Sequence, residues 1–316
     1  MEITYQEKNG ERVDKFLQKE VFFNSKTSRG EIVRNIKEGN VLVNKKTVKP
    51  SYILKKNDEV EVDIPEKIIK LRPNEKIEFE IIYEDKNFIV INKPAGLTVH
   101  PSSAERDDTL ASGLLAKFPE IKNVGDAPEI RPGIVHRLDK ETSGIMVVAR
   151  NQKTFLELKN KFKKREIKKT YWAIVFGNLG EAESFGIIDK PIARSADYKK
   201  QVIAGRKTKT KIREAVTEYK IIKKFADYSL VEVSPRTGRM HQIRVHLNSI
   251  GHPIVGDEIY KAKGFLEVAE IKRQLLHAKE LSFSAFGKEY GFKADIPKDM
   301  RNFLDSLTNV GNKDRI

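Results

Sequence analysis

The sequence predicts a two-domain protein in which helices and strands both recur. Three observations carry this. The chain has 316 residues, more than the roughly 100–200 of one typical domain. Hydrophobic residues make up 39% and charged residues 33%, enough apolar material for a sizeable core and too much for a disordered chain. A charged, proline-bearing connector, EKIIKLRPNEK, separates two stretches that each carry their own apolar periodicity. The boundary is placed near residue 70, giving domains 1–70 and 71–316.

In the first domain, Val13, Phe16 and Leu17 share one helical face, and Ile32, Val33 and Ile36 share another. Gly39 supplies the left-handed residue that ends the second helix. Val41-Leu-Val-Asn44 reads as a strand, Lys45-Lys46 as the turn after it, and Val60-Glu-Val-Asp-Ile64 as a further strand closed by Pro65. In the second domain, Ile77–Tyr83 and Phe88–Asn92 are expected to be strands. Asp108 is expected to cap a helix over Thr109–Phe118. Gly144–Ala149 is almost wholly apolar, as a buried strand must be. Gln152–Lys164 presents Phe155, Leu158 and Phe162 on one helical face. Tyr171–Phe176, Ser229–Val233 and Leu275–Phe283 read as strands. His241–Ile250 reads as a helix ended by Gly251, and the Lys-rich stretch 194–213 as a loop or hairpin.

Charge narrows the partner. Sixty Lys and Arg stand against 45 Asp and Glu, a net +15. A basic protein of this size is expected to meet a polyanion, with nucleic acid the leading candidate; the alternative is a generically lysine-rich surface. The excess is clustered. Lys26–Lys56, Lys159–Lys169 and Lys190–Arg213 hold nine, seven and nine basic residues against two, one and one acids. Three separate clusters suggest an extended anionic ligand. Cysteine is absent, which excludes disulfides, Cys-ligated zinc, iron–sulfur clusters and a catalytic thiol, and suits a reducing cytoplasm. The N-terminus lacks an apolar leader, and no stretch approaches the ~18 apolar residues of a membrane span.

Three segments concentrate Gly, Pro, His, Arg and Asp: Asn92–Pro101, Arg131–Gly144 and Ser234–Tyr260. His241 and His246 are five apart with no Glu between them, so a zinc site has little support and no metal is expected. Thr237-Gly-Arg239 resembles a phosphate-cradling turn but lacks a P-loop frame, and no GxGxxG follows a strand, which disfavours ATP and NAD. No GxSxG elbow is present. Ser143 stands where capping is its commonest use. Asp139 lies between Arg137 and Lys140. A carboxylate among cations is held ionised, fit to be a nucleophile or base and poorly suited to be a general acid. A capping or ion-paired structural aspartate is the other reading of the same pattern.

The ordered series NKPAGLTVHP, RPGIVHRLDKETSGIMVVAR, KKTYWAIVFG, EVSPRTGRMHQIRVHL, GHPIVGD and LHAKELSF resembles the pseudouridine synthases of the large-ribosomal-subunit group, the type with an N-terminal S4 RNA-binding domain. Residues 12–64, through RVDKFL and SRGEIVRNIKEGNVLVN, resemble the S4 module. The resemblance implies an α+β fold: a small S4-like domain, then a catalytic domain with a mixed, largely antiparallel sheet flanked by helices. It implies isomerisation of uridine in structured large-subunit ribosomal RNA, with the base flipped out and no cofactor, by a cytoplasmic protein expected to be a monomer. The family's catalytic aspartate falls on Asp139 and its base-stacking tyrosine on Tyr171. Its aspartate-pairing arginine falls on Arg239, with Arg244 a second basic candidate. RNA contacts are expected from Arg29, Arg34, Lys37 and Lys45 in the first domain, and from His136, Arg137, His241 and Arg244 in the second. Asn44-Lys45-Lys46 stands where the family usually has Asn-Gly, which departs from the family's hairpin turn. A binding module without catalysis, or an Asp139-dependent hydrolase, are the competing functional classes.

Overall fold

Short alternating strands at the N-terminus need a partner layer to bury their apolar face, and two helices supply it. A computed structural model describes residues 1–21, 29–63, 71–101, 107–177, 184–197, 200–261 and 271–310. Lys26, Ile64, Pro65 and Lys199 therefore lie outside the described residues. The chain divides into two units, Met1–Ile68 and Ile69–Ile316. In the first, β1 (Glu2–Thr4), α1 (Val13–Phe16), α2 (Arg29–Lys37), β2 (Val41–Val43), β3 (Lys46–Thr47) and β4 (Glu59–Val62) follow one another. The strands form an antiparallel sheet in the order β1-β4-β2-β3. Val13, Phe16, Leu17, Ile32 and Ile36 pack against Val41, Val43, Val60 and Val62, with Tyr5 and Leu54 closing the core.

The first hairpin turns one residue earlier than the sequence suggested. Val43 pairs with Lys46, so the loop is Asn44-Lys45, with φ of 50° and 64°. Two positive φ values mark a type I′ turn. Asn44 is fixed there from both sides: its Nδ2 donates to Asp58 Oδ1 at 2.8 Å, and Glu59 N donates to its Oδ1 at 2.9 Å.

The second unit runs β5 (Glu80–Glu84), β6 (Phe88–Lys93), α3 (Leu110–Lys117), β7 (Ser143–Ala149), α4 (Gln152–Lys164), β8 (Lys168–Phe176) and β9 (Phe185–Asp189). It continues with β10 (Ile192–Arg194), β11 (Gln201–Ile203), β12 (Val216–Lys224), β13 (Tyr228–Pro235), α5 (Gln242–Ser249), β14 (Leu276–Ala285), β15 (Lys288–Lys293) and α6 (Lys298–Val310). Among the described residues its large sheet has nine strands, in the order β5-β6-β7-β14-β8-β13-β12-β9, with β15 paired to β14. Among the described strands of this sheet, only β7 and β14 pair in parallel. The sheet is thus mixed and largely antiparallel, an α+β arrangement. Strand alternation divides the core into two layers. Tyr171, Ala173 and Val175 of β8 join one apolar cluster with Leu114, Phe155 and Leu158. Trp172, Ile174 and Phe176 join another with Met300 and Phe303 of α6.

Several boundaries differ from expectation, three of them with a local cause or geometry. Thr109, not Asp108, caps α3, its hydroxyl accepting from Ser112 N. β5 starts at Glu80 rather than Ile77, because Asn74 holds a turn, accepting from Lys76 N on its side chain and Ile77 N on its carbonyl. α5 begins at Gln242, after His241 in left-handed geometry. The Lys-rich stretch opens with the β10–β11 hairpin.

Candidate active site

Asp139 owes its place to a close strand approach. On parallel β7 and β14, Gly144 faces Ala278, and a Cβ on Gly144 would lie 2.3 Å from the Ala278 carbonyl oxygen. Its φ of 119° belongs to glycine as well. Immediately before this strand the chain makes a turn closed by Thr142 N to Asp139 O at 3.1 Å. Lys93, at the end of β6, staples that turn to the NKPAG loop. Its buried ammonium donates to Pro94 O, Leu97 O and Lys140 O at 2.8, 2.9 and 2.9 Å. Burial pushes Lys93 down to about 7.

Arg244, not Arg239, pairs with this carboxylate. Arg244 Nη1 donates to Asp139 Oδ2 at 3.0 Å. Its other edge is held by Asp257, with Nε to Oδ2 at 2.7 Å and Nη2 to Oδ1 at 2.9 Å. Asp257 Oδ1 also accepts from Ile259 N and Tyr260 N. Burial opposes the charge of Arg244, but the hydrogen bond to Asp257 and the charges of both aspartates outweigh it and raise its pKa. Arg239 lies in the turn ahead of α5, with its Nε on Glu214 O at 3.2 Å. That turn is held by Gln242, whose Oε1 accepts from Thr237 Oγ1 and Arg239 N and whose Nε2 donates to Val216 O and Thr217 Oγ1. The phosphate-like turn of Thr237-Gly-Arg239 thus has a structural partner of its own.

Tyr171 pairs laterally with Ala278 and with Val233, which puts it one strand beyond the Gly144–Ala278 contact. Burial, with the Asp139 charge second, raises its phenol pKa. Asp139, Tyr171, Arg239, His241 and Arg244 all line one cleft of about 1190 Å³. Two of the basic clusters reach it, through Lys163, Arg165, Lys168 and Lys169 and through Arg194. Arg137 lines it too and is exposed, its Nη1 2.9 Å from His100 Nε2. His136 lines the same cleft but is committed elsewhere. Its Nε2 accepts from Val147 N at 3.0 Å, and its ring stacks on Phe162 with centroids 4.6 Å apart. Burial, with Lys169 second, pushes its pKa down to about 3.

Residues 87–249 match the family model described as RNA pseudouridylate synthase, and residues 11–60 match the S4 domain. The chain belongs to the RNA pseudouridylate synthase family. It is 35% identical over 308 residues to an RNA pseudouridine synthase of Bacillus subtilis, covering 97% of each chain. It is 36% identical over 314 residues to the ribosomal large subunit pseudouridine synthase D of Borreliella burgdorferi, covering 98% of this chain and 92% of that one. A solved structure of human RNA pseudouridylate synthase domain containing 4 superposes with a TM-score of 0.58 at 29% identity, over 72% of this chain and 93% of that one. The protein is an RNA pseudouridine synthase, an isomerase, with an S4 RNA-binding domain.

In the S4 domain of the synthase, Arg34 and Lys37 of α2 are exposed, as is Lys45 in the hairpin turn. Arg29 is part-committed, with Nη2 on Asp14 Oδ2 at 3.0 Å, while Arg12 Nε meets Oδ1 of the same buried carboxylate at 2.9 Å. Lys93, Gln242, Asp257 and Tyr260 were not among the residues expected from the sequence. For Lys93 and Asp257 a signal was available: each is a charge beside an apolar strand or turn (FIVINK, PIVGD), where only a buried partner makes it tolerable. Among the described residues, no helix is long and apolar enough to cross a membrane.

Proposed function

We propose that this synthase converts specific uridines of large-subunit ribosomal RNA to pseudouridine in the cytoplasm, flipping the base into the cleft and using the Asp139 carboxylate without a cofactor. The observation that carries the reading is the Asp139–Arg244–Asp257 chain at the cleft wall. A guanidinium held on one edge by a buried carboxylate presents its remaining Nη1 to Asp139 in one orientation. That is the preorganisation a reacting carboxylate needs. The target class comes from relatives named for the large subunit, which this chain matches nearly end to end.

The chemistry uses these groups in order. The C1′–N1 bond breaks, the uracil turns within the cleft, C5 bonds to C1′, the C5 proton leaves to solvent and N1 takes a proton in its place. The carboxylate serves whether it attacks C1′ or takes the C2′ proton. A free uracil must not escape, and an aromatic face retains it at about 1–3 kcal/mol by stacking. Tyr171, with its raised pKa, keeps its hydroxyl proton while it does so. Flipping the base costs a few kcal/mol, offset by phosphate contacts along the basic rim.

The test is tritium release from C5-labelled, unmodified ribosomal RNA transcript with nothing else added. Release from the wild-type protein is expected. Asp139→Asn should bind the transcript as tightly and release at least about 10³-fold more slowly, since it removes the reacting group itself. Binding without release by the wild type would instead mark a non-catalytic RNA-binding module, and release surviving in Asp139→Asn would remove Asp139 from the chemistry.

A further inference from the structure

Asp139 Oδ2 has a second neighbour besides Arg244. His241 Nε2 lies 3.8 Å from it, beyond hydrogen-bond length but within reach of one. Among the described residues Asp139 Oδ1 takes no hydrogen bond. His241 is an odd choice for its position. It precedes α5 with φ of 53°, and its side chain makes no capping bond to the helix. A glycine would hold that backbone at lower cost, and strained non-glycine residues gather where a side chain is needed.

The surroundings fix which nitrogen of His241 carries a proton. Its Nδ1 lies 3.1 Å from the Tyr260 hydroxyl, which also accepts from Gln201 N at 2.9 Å. The Gln201 amide can only donate. Were Nδ1 protonated, the Tyr260 oxygen would accept twice and its own proton would be buried without an acceptor among the described residues. The hydroxyl therefore donates to Nδ1. Tyr260 is 5% exposed, and burial raises its pKa to about 12, so that proton is held. Burial is also the largest influence on His241 and lowers its pKa, outweighing the Asp139 charge that opposes it. A neutral imidazole accepting on Nδ1 carries its one proton on Nε2, the nitrogen nearest Asp139.

We propose that His241 is a positioning residue for Asp139: Tyr260 sets its tautomer, and its Nε2–H closes on Oδ2 when a nucleotide enters, so that two donors hold Oδ2 and Oδ1 is left to the sugar. The proposal rests on Asp139 being the reacting carboxylate. Donors that are loose in an empty site commonly tighten around a bound substrate. The link starts at Gln201 on β11, so the hairpin backbone, Tyr260, His241 and Asp139 form one line.

Two measurements on the full chain test it. Nitrogen-15 spectra of histidine-labelled protein, with the His241 signal identified by its loss in His241→Gln, should show the Nε2–H tautomer in the wild type. Tyr260→Phe should shift it to a mixture. In the release assay His241→Gln, whose amide nitrogen replaces Nε2–H, should stay within about 3-fold of wild-type kcat. His241→Asn, whose shorter amide does not reach, should lose about 10- to 100-fold in kcat, the scale of one hydrogen bond to a charged group. KM should stay within about 2-fold, and both variants should melt as the wild type does. An Nδ1–H tautomer in the wild type, or equal release from the Gln, Asn and wild-type proteins, overturns the proposal alone. No release from the wild type overturns it together with the reading of Asp139.

Discussion

At Asp139 two arginines of one motif compete for a single carboxylate, and the outcome depends on a third residue. Arg239 and Arg244 lie five apart in TGRMHQIR, and spacing alone favours neither. The structure separates them through Asp257, which lies 13 residues beyond Arg244 and grips its Nε edge. An ion pair ~4 Å apart is worth about 4 kcal/mol at an effective dielectric near 20, before the cost of desolvating it. Arg244 is buried and held at three points, so most of its attraction survives solvent screening. Arg244→Met should therefore lower kcat for tritium release by about 10²-fold, the loss of a charge-assisted hydrogen bond worth about 1.5–3 kcal/mol. Arg239→Ala should leave kcat within about 3-fold and act chiefly on RNA affinity. Steady-state kinetics of the two variants would check this, and a larger kcat loss in Arg239→Ala would reverse the assignment. The proposed reacting residue was legible because HRLDKETSG is one contiguous run; the choice of its partner was not, because Asp257 lies outside TGRMHQIR, 13 residues beyond Arg244.

Among the elements, the Asn44-Lys45 turn shows a local rule broken and compensated. A type I′ loop wants positive φ at both positions, and lysine at the second carries a strain that glycine does not. Asn44 offsets it through Asp58 and Glu59. Lys45→Gly should stabilise the S4 unit by about 0.5–1 kcal/mol against urea, while RNA affinity falls slightly because one exposed cation is lost. A destabilised variant would show that the turn is not type I′ in solution. The elements readable from sequence share one property, apolar residues that recur at the period of the element. β7 is buried at every residue, and α4 spans Gln152–Lys164 as its periodicity requires. β9, β12 and β15 went unread because they lie toward the margins of the sheet and carry exposed charge, as at Lys220, Lys224 and Lys288. α6 does hold Met300, Phe303, Leu304 and Leu307 at helical spacing. Its charged residues are no denser than those of α4; what the sequence does not show is the apolar face of β8 and β13 on which the stripe packs.

For the whole molecule, histidines tie stability to pH. Besides His136 on Val147 N, and apart from His241 in the cleft, three more histidines with lowered pKa are tied into the fold by their ring nitrogens. His246 lies between Thr217 Oγ1 and Lys190 O at 2.8 and 2.9 Å, His277 meets Ser143 Oγ at 2.9 Å, and His100 faces Arg137. Burial lowers the pKa of all three and of His136, to about 4 for His277 and about 3 for His136. The folded protein thus refuses protons that the unfolded chain accepts near 6.5. Where the unfolded state binds more protons, stability rises with pH. The contribution of these residues is complete above about 6.5 and drains away as pH falls toward 3. At about 1.4 kcal/mol per pKa unit, His136 and His277 together amount to several kcal/mol. Asp14, Asp58 and Asp299 are lowered too, but from a lower starting value and by a different cause: burial works against each, while hydrogen bonds and nearby cations prevail. Their contribution stays intact until pH falls below about 4, so between 6.5 and 4.5 the histidines dominate. Urea denaturation should show stability falling steadily over that interval. His136→Gln, whose amide oxygen can still accept from Val147 N, should flatten the fall. A wild-type profile level from pH 7 to 4.5 would mean that these imidazoles titrate as freely in the fold as in the unfolded chain.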